Sequence, residues 1–311
     1  MRRTFVKQCL GTASALLLNP SLQAFSASAP QIKISLAQWS LHRMLKAGKL
    51  LNLDFPAKVR NDFGIGAVEY VNQFFGDQKM DYKEAASHKP YLSQLLGRSK
   101  DAGIYNHLIM VDNEGPLALP QDKERLAAIE NHKKWIEAAA FLGCSTVRVN
   151  LHGDGSSKDK KTASIDSLGR LGDFAKPMQI NIVTENHGSD SSNGRWVADV
   201  MKGVARTNVG TLPDFGNFCL SDPWGTTQNG CKEVYDRYKG LEELLPFAKA
   251  VSAKSYDFDS NGEQPLMDYK RLLSSVKASG FTGYIGIEFE GNTQSEEEGI
   301  RKTKALLEKY L

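Results

Sequence analysis

The sequence predicts an α/β fold, a single (β/α)8 TIM barrel, from three observations. Short apolar runs alternate with amphipathic helical stretches about eight times between residue 30 and residue 311. No Gly-x-Gly-x-x-Gly fingerprint follows the first run, which disfavours a doubly wound dinucleotide fold. Three of the later runs end in an acid: Ile180-Asn181-Ile182-Val183-Thr184 in Glu185, Val209-Gly210-Thr211-Leu212-Pro213 in Asp214, and Tyr284-Ile285-Gly286-Ile287 in Glu288. The C-terminal ends of parallel barrel strands share one face, so these acids are expected to converge there.

Taken in order, residues 32–39 form the first strand, ending at Gln38-Trp39-Ser40. A helix over residues 54–62 follows, with Asp54 as its cap and Pro56 in its first turn. Residues 66–71 are strand two, with Glu69 near its end, and residues 91–102 are helical up to Gly103. Strand three, residues 107–111, leads to a long amphipathic helix over residues 121–142 that stops at Gly143. Strand four, residues 146–150, runs out at Leu151-His152-Gly153. Helices over residues 165–176, 194–207, 235–248, 268–279 and 296–310 alternate with strands five to eight, the seventh being Val251-Ser252-Ala253-Lys254-Ser255.

The N-terminus has the order of an export signal. Arg2-Arg3-Thr4-Phe5-Val6-Lys7 is basic, residues 13–18 are apolar, and residues 24–29 are mostly small. The expectation is a twin-arginine-like signal over residues 1–29, removed on export to the periplasm, with the barrel domain over residues 30–311. The apolar run is too short and interrupted to span a bilayer, and no later segment is long enough.

The chain has 311 residues, 41% hydrophobic and 24% charged, enough for a full-sized core. A net charge of +3 argues against a nucleic-acid partner, and the one dense basic cluster, Lys158-Asp159-Lys160-Lys161, is expected in a solvated loop. Of four cysteines Cys9 leaves with the leader. Cys219 and Cys231 flank a loop rich in Pro, Gly and Asn, where a disulfide and two buried thiols are both open. The absence of a Cys-x-x-Cys spacing argues against thiolate metal ligation.

Three carboxylates held at fixed spacing suit a hard divalent cation that polarises a carbonyl or hydroxyl. Glu185 and Glu288 are then the acid/base pair for proton removal at the neighbouring carbon. The plainer alternative is that each acid caps a helix or pairs with a basic side chain. Trp39, Glu69, Asn150, His152, His187, Asn217 and Lys254 are candidate substrate contacts. His42 is as well explained as a loop histidine, His107 as a structural residue, and Trp224 either as part of a lid or as loop packing.

Thr184-Glu185-Asn186-His187-Gly188, Asp214-Phe215-Gly216-Asn217 and Ile287-Glu288-Phe289-Glu290-Gly291 resemble the xylose-isomerase-like TIM-barrel superfamily, the sugar phosphate isomerase/epimerase group. The resemblance implies a Mn2+, Mg2+ or Zn2+ ion held by Glu, Asp, His and Glu from strands five to eight, with the two glutamates exchanging the proton. Glu185, Asp214 and Glu288 match three of those positions. Ser252 stands where the histidine is expected, which leaves open a weaker metal site, water or His187 as fourth ligand, or a metal-free site in which Lys254 stabilises an enolate. The expected function is an exported sugar isomerase or epimerase acting on a neutral or oxidised carbohydrate. Alternatives are a keto-sugar lyase or hydratase on the same site, and a non-catalytic carbohydrate-binding barrel. The sequence does not fix an oligomeric state.

Overall fold

The apolar runs become strands of a parallel barrel in a computed structural model that describes residues 32–76, 80–228 and 230–311. The export signal expected over residues 1–29 lies outside the described residues. Among these residues the strands are β1 (Lys33–Ala37), β2 (Ala67–Val71), β3 (Tyr105–Met110), β4 (Thr146–Val149), β5 (Asn181–Glu185), β6 (Val209–Leu212), β7 (Val251–Ser255) and β8 (Tyr284–Phe289). All ladders are parallel, in the order β6-β5-β4-β3-β2-β1-β8-β7. The bridges Thr211↔Ala248 and Asp214↔Ser252 join β6 to β7, with Ser252 N donating to Pro213 O at 2.9 Å and Phe215 N to Ser252 O at 3.1 Å. The predicted (β/α)8 barrel is thus formed, and its seam runs past one of the three acids.

Strand alternation sorts side chains between two apolar layers. Ala37, Val71, Leu108, Met110, Val183, Leu212 and Ala250 form a small cluster inside the barrel. Leu36, Tyr70, Ile109, Ile182, Val251, Ala253, Ile285 and Ile287 belong to the large core between strands and helices. Each fully buried Leu or Ile there stabilises the fold by roughly 2 kcal/mol. The same parity sends Arg148, Ser252, Lys254 and Glu288 inward, since flanking strand neighbours of each belong to the outer layer, and Glu185 inward, since it lies two residues from the inner Val183.

Several elements differ from expectation. The helix Phe55–Phe63 carries Pro56 in its first turn, but Asp54 does not cap it. Asp54 already has helical dihedrals at the end of a 3-10 turn, and its carboxylate pairs with Arg98 instead. The helix Ser157–Ala175 starts earlier than predicted because Ser156 Oγ accepts from Asp159 N. Its first turns therefore carry the basic cluster, where Lys160 and Lys161 pair with Asp190 (2.6 Å) and Asp199 (3.3 Å) rather than lying in a loop. The helix expected over 235–248 is the shorter Arg237–Leu244 followed by a 3-10 turn, Leu245–Phe247, that contains Pro246. His107 is the third residue of β3, buried against Tyr284 (ring centroids 4.5 Å apart), and burial lowers its pKa to about 4. Cys219 and Cys231 are joined in a disulfide, with Cα atoms 5.7 Å apart. No helix among the described residues is long and apolar enough to cross a membrane.

Candidate active site

Glu185 at the end of β5, Asp214 just beyond β6, and Glu288 near the end of β8 meet at the C-terminal face of the barrel. One oxygen from each lies within 4.8 Å of the others, and all three residues are buried. The Glu-Asn-His turn explains part of this convergence. Asn186 Oδ1 accepts from Asp214 N (2.7 Å) while its Nδ2 donates to the carbonyls of Asp214 (3.0 Å) and Asn217 (3.1 Å), lacing the end of β5 to that of β6. Asp214 Oδ1 closes its own turn by accepting from the backbone N–H of Gly216 (2.8 Å) and Asn217 (2.9 Å). Asn217 Nδ2 donates to Glu185 Oε1 at 3.0 Å.

Burial dominates the electrostatics. It pushes Glu185 well above the ordinary carboxylate range, with Arg148 opposing and Glu288 and Asp214 reinforcing. It lifts Asp214 to about 7 against the pull of Lys254. Glu185 Oε2 faces Arg148 Nε at 3.1 Å, yet the pair is out of line for a hydrogen bond and neither atom has another partner. An orphaned carboxylate oxygen beside two further acids is a donor set that fits a hard divalent cation. Ser252 stands in the expected histidine position and donates to Asp214 Oδ2 (2.5 Å) and Glu288 Oε2 (3.1 Å), so it organises the acids without supplying an imidazole.

Lys254 is, with Arg148, one of two buried cations at the site. Its ammonium donates to Glu288 Oε1 (2.9 Å) and Glu290 Oε2 (2.8 Å). Burial disfavours that charge, but Glu288, Glu290 and Asp214 outweigh it and raise the pKa well above the usual lysine value. Glu290 also accepts from Trp39 Nε1, so one hydrogen-bonded chain runs Trp39–Glu290–Lys254–Glu288. Opposite it, Asp112 Oδ1 accepts from Arg148 Nη1 (2.7 Å) and Asn150 Nδ2 (2.6 Å), while His187 Nδ1 meets Asn150 Oδ1 at 2.9 Å. Burial and then Arg148 keep the half-buried His187 neutral, well below the usual histidine pKa.

A cavity of about 450 Å3 is lined by Glu288, while Glu185 and Asp214 are buried behind its wall and do not line it. Of the predicted contacts, Trp39, His187, Asn217, Lys254 and the acid Glu288 line it, as do His42 and Trp224. Asn150 stands behind His187, and His152 behind Trp224, with ring centroids 5.2 Å apart. Glu69 corrects an expectation. It lies deeper in the barrel, accepting from Ser35 Oγ at 2.6 Å and filling the space that a side chain at residue 286 would need, so it does not face the cavity. Burial holds its carboxyl up at about 7. Arg148, Asp112 and Glu290 were not singled out from sequence. Arg148 carried a signal as a charge inside Val147-Arg148-Val149, and Glu290 as the residue one strand period beyond Glu288. Asp112 carried none.

Among solved structures, a D-psicose 3-epimerase determined in the presence of D-fructose superimposes with a TM-score of 0.66 at 12% identity, over 90% of this chain and 99% of that one. A 3-keto-D-glucoside 4-epimerase from E. coli gives 0.61 at 13% identity, over 90% and 100%. A xylose isomerase-like TIM barrel protein from Mycobacterium smegmatis in complex with magnesium gives 0.64 at 16%, over 90% and 97%. At these identities the likeness is one of fold. Among curated proteins, a C-glycoside deglycosidase alpha subunit of Arthrobacter globiformis is 38% identical over 50 residues, and a 3'-dehydrocarminate deglycosidase alpha subunit of a Microbacterium is 35% identical over 57. These matches span 16% and 18% of this chain and only 14% and 16% of the relatives. The model of the xylose isomerase-like TIM barrel family, by contrast, matches residues 58–310, and the chain belongs to that family.

Proposed function

We propose that this chain is an exported sugar isomerase or epimerase that removes and returns a proton on the carbon next to a sugar carbonyl. The observation that carries the proposal is the meeting of Glu185, Asp214 and Glu288 within 4.8 Å, with Glu288 reaching a cavity that Arg148, Asn217 and Lys254 also line. Glu185, Asp214 and Glu288 would hold a divalent cation, as the magnesium-bearing family member supports. When bound, such an ion polarises the substrate carbonyl and lowers the cost of the enolate. One glutamate takes the proton as the C–H bond breaks and its electron pair moves towards the carbonyl oxygen. The other returns a proton to the opposite face. Lys254 orients Glu288 through its hydrogen bond, Arg148 and Asn217 fix Glu185, and Trp39 walls the cavity through its bond to Glu290. Export is supported by the basic-apolar-small order of residues 1–29 and by the Cys219–Cys231 disulfide, a bond that persists in oxidising compartments.

A second outcome of the same first step is expulsion of a group β to the carbonyl, which would make the chain a keto-glycoside lyase. The deglycosidase alpha subunits among the relatives favour it. The test is incubation in deuterated water with D-fructose, D-psicose and a 3-keto-glucoside, followed by NMR. The expected result is exchange or inversion at the carbon beside the carbonyl, falling at least about 100-fold in Glu185→Gln and in Glu288→Gln. Release of the aglycone instead selects the lyase. Exchange that survives both substitutions contradicts the glutamate pair.

A further inference from the structure

The cavity has a second feature that the acid cluster does not use, an indole displayed at its rim. Trp224 lines the cavity yet is 49% exposed. Its ring meets His152 and His187 at centroid distances of 5.2 and 5.3 Å, so a small aromatic patch rises from the wall of the site. The patch is built rather than loosely draped. Asp222 Oδ1 accepts from Trp224 N (2.8 Å) and Thr226 N (3.3 Å), and Cys219 N donates to Gly225 O at 2.9 Å. The disulfide from Cys219 to Cys231 ties the same segment at its base.

The glycine of the Glu-Asn-His-Gly turn completes the docking. A Cβ on Gly188 would lie 2.0 Å from Pro223 O and 2.8 Å from Trp224 N, and one on Gly225 would lie 2.7 Å from Gly188 N. Both glycines have positive φ, +95° and +80°. The turn that presents Glu185 and His187 therefore touches the turn that presents Trp224, backbone against backbone. An aromatic fixed in this way loses little conformational freedom when a ligand stacks on it. A volume of about 450 Å3 lies in the range, roughly 300–1,000 Å3, of pockets that take ligands larger than one sugar ring.

Resting on the sugar reading above, we infer that Trp224, backed by His152 and His187, is a subsite for a ring attached to the reacting sugar, so that the substrate is a glycoside rather than a free monosaccharide. The occupant is a flat apolar ring face, from an aromatic aglycone or from a second sugar.

The test is calorimetric titration of the full chain with D-glucose, methyl β-D-glucoside, phenyl β-D-glucoside and cellobiose, in the wild type, Trp224→Ala and Trp224→Phe. The wild type is expected to bind a ring-bearing glucoside about tenfold more tightly than the methyl glucoside. Trp224→Ala should abolish that ratio and leave methyl glucoside binding within about twofold, whereas Trp224→Phe should keep most of the preference. A preference for phenyl identifies an aromatic aglycone, and a preference for cellobiose a second sugar. An unchanged ratio in Trp224→Ala, or no ratio in the wild type, overturns the subsite while leaving the sugar site standing. If none of these glucosides binds while D-fructose or D-psicose does, the subsite is overturned and the sugar reading stands; if those two also fail to bind, the sugar reading falls with it.

Discussion

At the residue scale the acids and their partners differ in what they ask of the fold. Glu185 and Asp214 are buried carboxylates whose own neighbours include further carboxylates, so each raises the cost of ionising the next. Arg148 and Lys254 offset this from opposite sides, Arg148 through Asp112 and Glu185, Lys254 through Glu288 and Glu290. His107 is the contrasting case of a buried ionisable group that meets no acid. Its folded pKa of about 4 lies below the ordinary 6.5, so above pH 6.5 it is neutral in both states and costs nothing. As pH falls from 6.5 to 4 the unfolded chain takes up the proton first, and stability is lost, by about 3 kcal/mol in full. Urea unfolding across that window should show the loss in the wild type and a flatter profile in His107→Phe. Parallel profiles for the two proteins would contradict the assignment.

At the element scale, turns and strand ends do the positioning. Gly188 is the clearest example, because its φ of +95° and its contact with Pro223 both exclude a side chain. Gly188→Ala should lower stability by about 1–3 kcal/mol and shift the Trp fluorescence as the Trp224 turn is pushed away. An unaltered melting temperature and spectrum would show that the two turns are not coupled. The alternation of apolar runs and helices was readable from the sequence, since buried parallel strands leave near-continuous Val, Ile and Leu runs. So were Glu185, Asp214 and Glu288, each a charge that ends such a run. Asp54 misled because a cap depends on the dihedral of one residue, and the sequence shows only an Asp two residues before a Pro. Glu69 misled because it lies on an inward strand position, which places a side chain inside the barrel without saying at what depth. Asp112 was unreadable because its partners, Arg148 in β4 and Asn150 just beyond it, lie far along the chain.

At the scale of the whole molecule, no local segment can hold three carboxylates together; the closed barrel does it by fixing strands from three parts of the chain in one ring. The β6–β7 bridge at Asp214 and Ser252 is both the seam of that ring and a wall of the site. Folding therefore assembles a polar, partly uncompensated acid cluster at the expense of local stability, and a bound divalent cation would offset that cost by an amount that rises with the logarithm of the free ion concentration. The most direct measurement is titration of the purified protein with Mn2+, Mg2+ and Zn2+ by calorimetry, in the wild type and in Asp214→Asn. We expect one equivalent to bind the wild type with a rise in melting temperature, and both effects to weaken at least tenfold or vanish in Asp214→Asn. A wild type that takes up none of the three ions, or a variant that binds them equally well, would contradict the reading of Glu185, Asp214 and Glu288 as a cation site.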